Sequence, residues 1–182
     1  AAQLPPADPS VDTSSSIYIL DGSTVDAEHH GELGRIAEIL PAKTKVGGFR
    51  EVPGILTELH QEFTRRQEAS EPETAPIFIV IGEVQRLRDL RKKEDDFGFS
   101  SSSSDGPPKP DKILSTLLKE GSAFGIHILL WVDTMNNMNR TLERQALREF
   151  DQRILFQMNS TDSSNLIDSP AASKLGLHRA LF

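Results

Sequence analysis

The sequence predicts an α/β domain built on a mainly parallel β-sheet. Segments of strand character alternate with segments of helical periodicity from residue 16 to residue 182. Three strand segments are apolar runs without alternation, the pattern of strands buried on both faces. Asp21, the pair Gly82-Glu83, and Asp133 each close such a run. In parallel sheets that is the edge where ligands bind. Strand ends in any α/β domain often carry Asp, Gly or Glu, so this placement alone leaves the function open.

The elements follow in order. Residues 1–15 are rich in Pro, Ser and Asp and are expected to be a disordered linker. "SIYILD" gives a short strand over 17–20. Residues 32–40 read as a helix with Leu33, Ile36, Ile39 and Leu40 on one face, stopped by Pro41. A weaker strand over 44–46 runs into Gly47-Gly48. The next helix, 51–66, places Val52, Ile55, Leu56, Leu59 and Phe63 at helical spacing and ends on Arg65-Arg66, which suits the macrodipole. The run 77–81 is expected to be a central strand, followed by a basic amphipathic segment, "VQRLRDLRKK". Residues 94–111 are low in complexity and turn-rich, a flexible surface insertion. Asp111 is expected to cap a helix that turns Ile113, Leu114, Leu117 and Leu118 inward and stops at Gly121. "GIHILLWVD" is another strand buried on both faces; "LERQALREF" is helical; "RILFQM" is a strand; "SPAASKLG" is a short helix; "HRALF" opens a last strand.

Composition narrows the class. The chain has 182 residues, enough for one domain with a substantial core. Its net charge of −7 argues against a whole-surface nucleic-acid binder, though a local basic strip is compatible with it. With no cysteine there is no disulfide and no thiolate metal site. No apolar run approaches the ~20 residues that span a bilayer. The amino terminus lacks signal-peptide character and reads as the edge of a piece taken from a longer chain. The expected location is cytoplasmic, with any membrane association supplied by other parts of the parent.

The carboxy-terminal third is more specific. "FGIH" at 124–127, Arg153 opening "RILFQM", Ser160, Asp162-Ser163, "LID" at 166–168, "PAASKLG" at 170–176 and a closing "LF" come in a fixed order. This series resembles the FtsK/SpoIIIE family of motor ATPases, related to the HerA group. There an "AGIH" turn leads into a sensor strand, an Arg-led strand, and an "S…DS…ILD…GA…LLG…MLF" signature. "IYILDG" and "IFIVIGEV" then correspond to that family's "IDPK" strand and its Walker B strand. The resemblance covers residues 16–182, strongly after 121 and loosely before. It implies a partial RecA-like P-loop NTPase domain, binding ATP and Mg2+ in the full-length parent. It also implies a homo-oligomeric ring that translocates double-stranded DNA or a protein substrate.

Four departures accompany it. No G-x-x-x-x-G-K-[ST] loop is present; Gly47-Gly48 and Gly31-x-x-Gly34 carry no Lys-Ser/Thr. Gly82 stands where the Walker B Asp would hold magnesium through water. The family's sensor "ATQRP" reads "WVDTMN", and its "GD" before the last strand is His178-Arg179.

From the resemblance, Glu83 is a candidate to polarise an attacking water, or else a solvated residue at a helix start. Arg153 is a candidate finger toward a neighbouring subunit's nucleotide, or a partner for Asp151 or Glu149. Asp21, Gly82, Asp133 and Thr134 are candidates for the nucleotide side, Asp133 as a substitute metal-holding acid or as a cap. Asp162, Ser163 and Asp168 match the signature but also suit turn bracing. Arg86, Arg88, Arg91, Lys92 and Lys93 could track a nucleic-acid backbone, or form a solvated face balanced by Glu94-Asp95-Asp96. His29, His30 and His127 are assigned no metal. Three readings result: part of an ATP-driven translocase, a degenerate module kept as a structural or partner-docking unit, or an unrelated flavodoxin-like binding domain.

Overall fold

A computed structural model of the chain describes residues 15–40, 42–69, 75–92 and 108–182. The expected linker at 1–15, apart from Ser15, the helix stop at Pro41, and residues 94–107 of the expected insertion lie outside them. The described chain divides into two units, residues 1–143 and 144–182.

The first unit carries a four-stranded, all-parallel sheet in the order β2-β1-β3-β4. The strands are β1 (Ser16–Asp21), β2 (Lys43–Gly47), β3 (Ile77–Gly82) and β4 (Ile126–Leu130). Strand β3 is central, as its apolar run predicts, and pairs along its length with β1. Its register with β4 runs from Ile77↔Ile126 to Ile81↔Leu130. The helices between the strands are α1 (Glu32–Ile39), α2 (Val52–Glu68) and α3 (Pro110–Glu120). The predicted stripe of α2 is the buried one, extended by one more turn to Arg66. It packs on the buried face of α3, built from Ile113, Leu114, Leu117 and Leu118. Parallel crossovers are right-handed, which puts α2 and α3 on one face of the sheet and α1 on the other.

The two faces are unequally covered. Beneath α2 and α3, Leu20, Ile79 and Ile81 are fully buried. On the α1 side Ile17 and Ile19 of β1 are buried, but Phe78 and Val80 of β3 are only half-buried, and no residue of α1 is buried. The face expected from Leu33, Ile36 and Ile39 therefore covers the sheet thinly, with Ile39 80% exposed. Strand β4 also departs from expectation. It pairs only with β3 among the described residues, and Leu129 is 61% exposed.

Three boundaries move. Helix α3 begins with Pro110 in its first turn and Lys109 as N-cap, so Asp111 lies inside the helix rather than capping it. The basic segment after β3 forms two 3-10 turns, Val84–Arg86 and Arg88–Leu90. Val84, Leu87 and Leu90 are buried at a spacing of three, the period of that helix rather than the α-helix. A helix not anticipated from the sequence, α4 (Met135–Thr141), follows β4.

In the second unit "LERQALREF" contributes a 3-10 segment, Arg144–Glu149, and α5 (Ser160–Ile167) is an unanticipated helix. The expected strands "RILFQM" and "HRALF" reduce to one antiparallel bridge, Leu155↔Leu181. "SPAASKLG" is a 3-10 turn, Pro170–Lys174.

An almost buried arginine ties the first unit together. Arg66 donates to the carbonyls of Phe124 at 2.7 Å and Ala75 at 3.0 Å, and its Nε to Glu62 at 2.8 Å. It thereby joins the end of α2 to the entries of β3 and β4. Hydrogen bonds from Arg65 and then Arg66 hold the Glu62 carboxyl down to about 2, against an ordinary 4.5. Because the folded value is lowered, the contribution is present above the ordinary carboxylate range and is lost as pH falls through 4.5 toward 2. The unfolding midpoint should decline across that window, and Glu62→Gln should flatten the decline. An unchanged acid slope in Glu62→Gln would show that the cluster adds nothing.

Candidate functional site

The parallel register carries Asp21, Gly82 and the segment after β4 to one edge of the sheet. Asp21 pairs with Gly82, and Trp131 N donates to Ile81 O at 2.9 Å. The chain then turns sharply. Gly22 N donates to Gly82 O at 3.0 Å, and a Cβ at Gly22 would lie 2.5 Å from Glu83 O. Only glycine fits so close an approach. Asp21 Oδ1 accepts from Ser23 N at 2.8 Å, turning the loop that carries His29 and His30.

Glu83 is neither solvated nor at an α-helix start. It is 7% exposed and adopts φ 48°, ψ 50°, the left-handed region that costs a non-glycine residue roughly 1–2 kcal/mol. Both carboxylate oxygens are engaged. His29 Nε2 donates to Oε1 at 2.6 Å, and Arg86 Nε donates to Oε2 at 2.5 Å. His29 packs in turn against the Trp131 ring at 6.0 Å between centroids. Beside it, the 6%-exposed Ser23 shares a 3.1 Å hydrogen bond between its Oγ and His30 Nδ1.

Gly82 is overlain from the α1 side: a Cβ there would lie 3.1 Å from Leu33 Cδ1. The position where the resemblance would expect a metal-holding Asp is thus next to an apolar side chain. Asp133 and Thr134 act on α4. Thr134 Oγ1 accepts from Asn137 N at 3.3 Å as N-cap, and the Asp133 oxygens accept from Asn137 Nδ2 at 2.9 and 3.1 Å. Of the two roles open to Asp133, bracing this turn is the one its hydrogen bonds display.

Arg153 belongs to the second unit. Its Nη1 and Nη2 donate to the carbonyls of Leu166 and Leu147, each at 2.6 Å, rather than to Asp151 or Glu149. Ser163 is fully buried; its Oγ donates to Ser169 O at 2.5 Å and accepts from Ala172 N at 3.1 Å. Asp162 and Asn159 brace the start of α5 reciprocally, and Asp168 ends it with φ 56°. The signature residues of this unit thus hold its own turns.

The residues present do not fit a magnesium nucleotide. Gly82 offers no side-chain oxygen, Glu83 is committed to His29 and Arg86, and the chain has no phosphate loop. Among the described residues no group of three His, Asp or Glu side chains gathers in ligand geometry. Sequence reasoning missed Ser23, and it weighed His29 and His30 only as metal ligands and Arg86 only as a nucleic-acid contact, not as partners of Glu83 and Ser23. The available signal was a polar His-His loop directly after a strand end, where parallel sheets place their sites.

On the other side of the same edge lies an open pocket of about 600 Å3. It joins the segments that follow β1, β2 and β3, with Thr24, Phe49 and Arg88 among its lining residues.

No family model matches the chain, and no curated protein matches it.

Gly82→Asp should press on Leu33 and destabilise the fold by about 1–3 kcal/mol, as overpacking does. Adding Leu33→Ala should recover much of that loss, because the two sites share one space. Strictly additive unfolding energies in the double variant would place Leu33 away from Gly82.

Proposed function

We propose that this chain is the carboxy-terminal part of an FtsK/SpoIIIE-like ATP-binding motor domain, from a larger protein that translocates DNA or protein. Within that domain this part serves as a structural and docking unit rather than as the hydrolytic centre. The engagement of both Glu83 oxygens supports this reading most strongly. A general base must reach the water it activates. The Glu83 carboxylate is only 10% exposed and already accepts two hydrogen bonds. At Gly82 an acid would have to displace Leu33, because a Cβ there would lie 3.1 Å from Leu33 Cδ1. Exposed Ile36, Ile39, Leu129 and Trp131 offer apolar surface that a docking role can use.

The motor reading keeps one specific observation in its favour. Glu83 directly follows the central strand, between β1, which ends at Asp21, and β4, whose following turn carries Asp133, where the family places its water-polarising acid. In that reading a ring neighbour releases Glu83 from His29 and Arg86.

Magnesium-ATP turnover separates the two, measured for this chain and for the longest native form that contains it. The docking reading expects no hydrolysis above background and no effect of Glu83→Gln. A measurable rate that Glu83→Gln abolishes would instead establish the motor reading.

A further inference from the structure

We infer that the pocket beside Gln85 binds a small ring-bearing phosphate ester or diphosphate. This inference does not rest on the motor-like reading, because the pocket uses none of the Walker positions.

Its position is the first argument. The chain runs from β1 outward to β2, then crosses back over β1 to β3, so the sheet order reverses between β1 and β3. In open parallel sheets the crevice at the carboxyl ends beside such a reversal is where ligands bind. Thr24 follows β1, Phe49 follows β2, and the segment 85–91 follows β3. A volume of about 600 Å3 is in the range of small-molecule sites.

The lining chemistry is the second. Arg86, Arg88 and Arg91 all line the pocket. Arg86 is spent on Glu83, but Arg91 Nη2 donates to the Gln85 carbonyl at 2.7 Å, which orients its guanidinium without neutralising it. The Arg88 guanidinium has no hydrogen-bond or ion-pair partner among the described residues. Guanidinium forks match phosphate oxygens in pairs. Asp89 also lines the pocket and opposes an anion; with Arg86 paired to Glu83, Arg88 and Arg91 still outweigh it by charge.

The remaining lining suits a ring. Phe49 is 45% exposed and Val52 is buried behind it, which gives an apolar wall. Gln85 Oε1 is buried without a hydrogen-bond partner among the described residues, an acceptor that a ligand N–H or O–H can satisfy. A single aromatic wall favours a small molecule over an extended nucleic-acid strand, which needs a groove with repeated stacking platforms.

Calorimetric titration of the 182-residue chain with ADP, with inorganic pyrophosphate and with a single-stranded oligonucleotide tests this, with and without magnesium. Both ADP and pyrophosphate should bind, and the lining's single carboxylate makes magnesium dispensable. Arg88→Ala should weaken both at least tenfold, and Phe49→Ala should weaken ADP alone. Asp89→Asn should tighten both, a gain that misfolding cannot imitate. No binding of either probe at millimolar concentration, or affinities indifferent to Arg88 and Asp89, would overturn the inference. An oligonucleotide that binds more tightly than ADP and weakens steeply with salt would overturn it too, in favour of backbone tracking.

Discussion

The carboxyl edge of this sheet depends on the two-sided pairing of β3. Parallel ladders to β1 and β4 leave the strand no freedom of register, and Ile79 and Ile81 are sealed beneath α2 and α3. A slip of one residue would turn those isoleucines to the thinly covered α1 side. With register fixed, the crossing of Gly22 over Gly82 fixes the next peptide too. Glu83 is left in the left-handed region, its side chain under the loop that carries His29. Arg66 supports the opposite end of the same strands, satisfying carbonyls at the entries of β3 and β4.

A buried carboxylate is costly unless it is paired and hydrogen-bonded, and a left-handed Glu adds strain. Here the two costs are met at one residue by two donors from different segments. His29 comes from the loop after β1, and Arg86 from the 3-10 turn that Glu83 itself begins. The arrangement fastens the β1 loop to the end of β3, which is a structural task. On the reading proposed above, the same fastening keeps the carboxylate from water chemistry. Gly82 itself offers no side-chain oxygen, and the space a Cβ would take there borders Leu33.

Much of the first unit was legible in the sequence. Unbroken apolar runs located the strands, and the periodicity of α2 and α3 predicted their buried faces residue by residue. Legibility failed where tertiary context decides. An apolar run cannot say whether both faces will be covered, so β4 was expected to be buried and Leu129 is exposed. The basic segment after β3 read only as amphipathic, because hydrophobic spacing of three fits either helix type over so few residues. "RILFQM" has strand composition, but a strand needs a partner ladder, and Leu155 finds only Leu181. At the site, Asp133 lies beyond the end of β4, in the turn that opens α4, whereas Asp21 and Gly82-Glu83 were readable as the ends of strands. Their partners were not, because the contacts of His29 and Leu33 with the end of β3 join residues some fifty positions apart in the chain.

The claim that Glu83 is a fastening rather than a free base is tested most directly by a double-mutant cycle between Glu83→Gln and His29→Ala, read by denaturant unfolding. Coupled residues in such networks show interaction energies of about 0.5–3 kcal/mol, and a value in that range is predicted here. Additive effects, with no coupling between the two positions, would contradict the account and leave the Glu83 carboxylate available for catalysis.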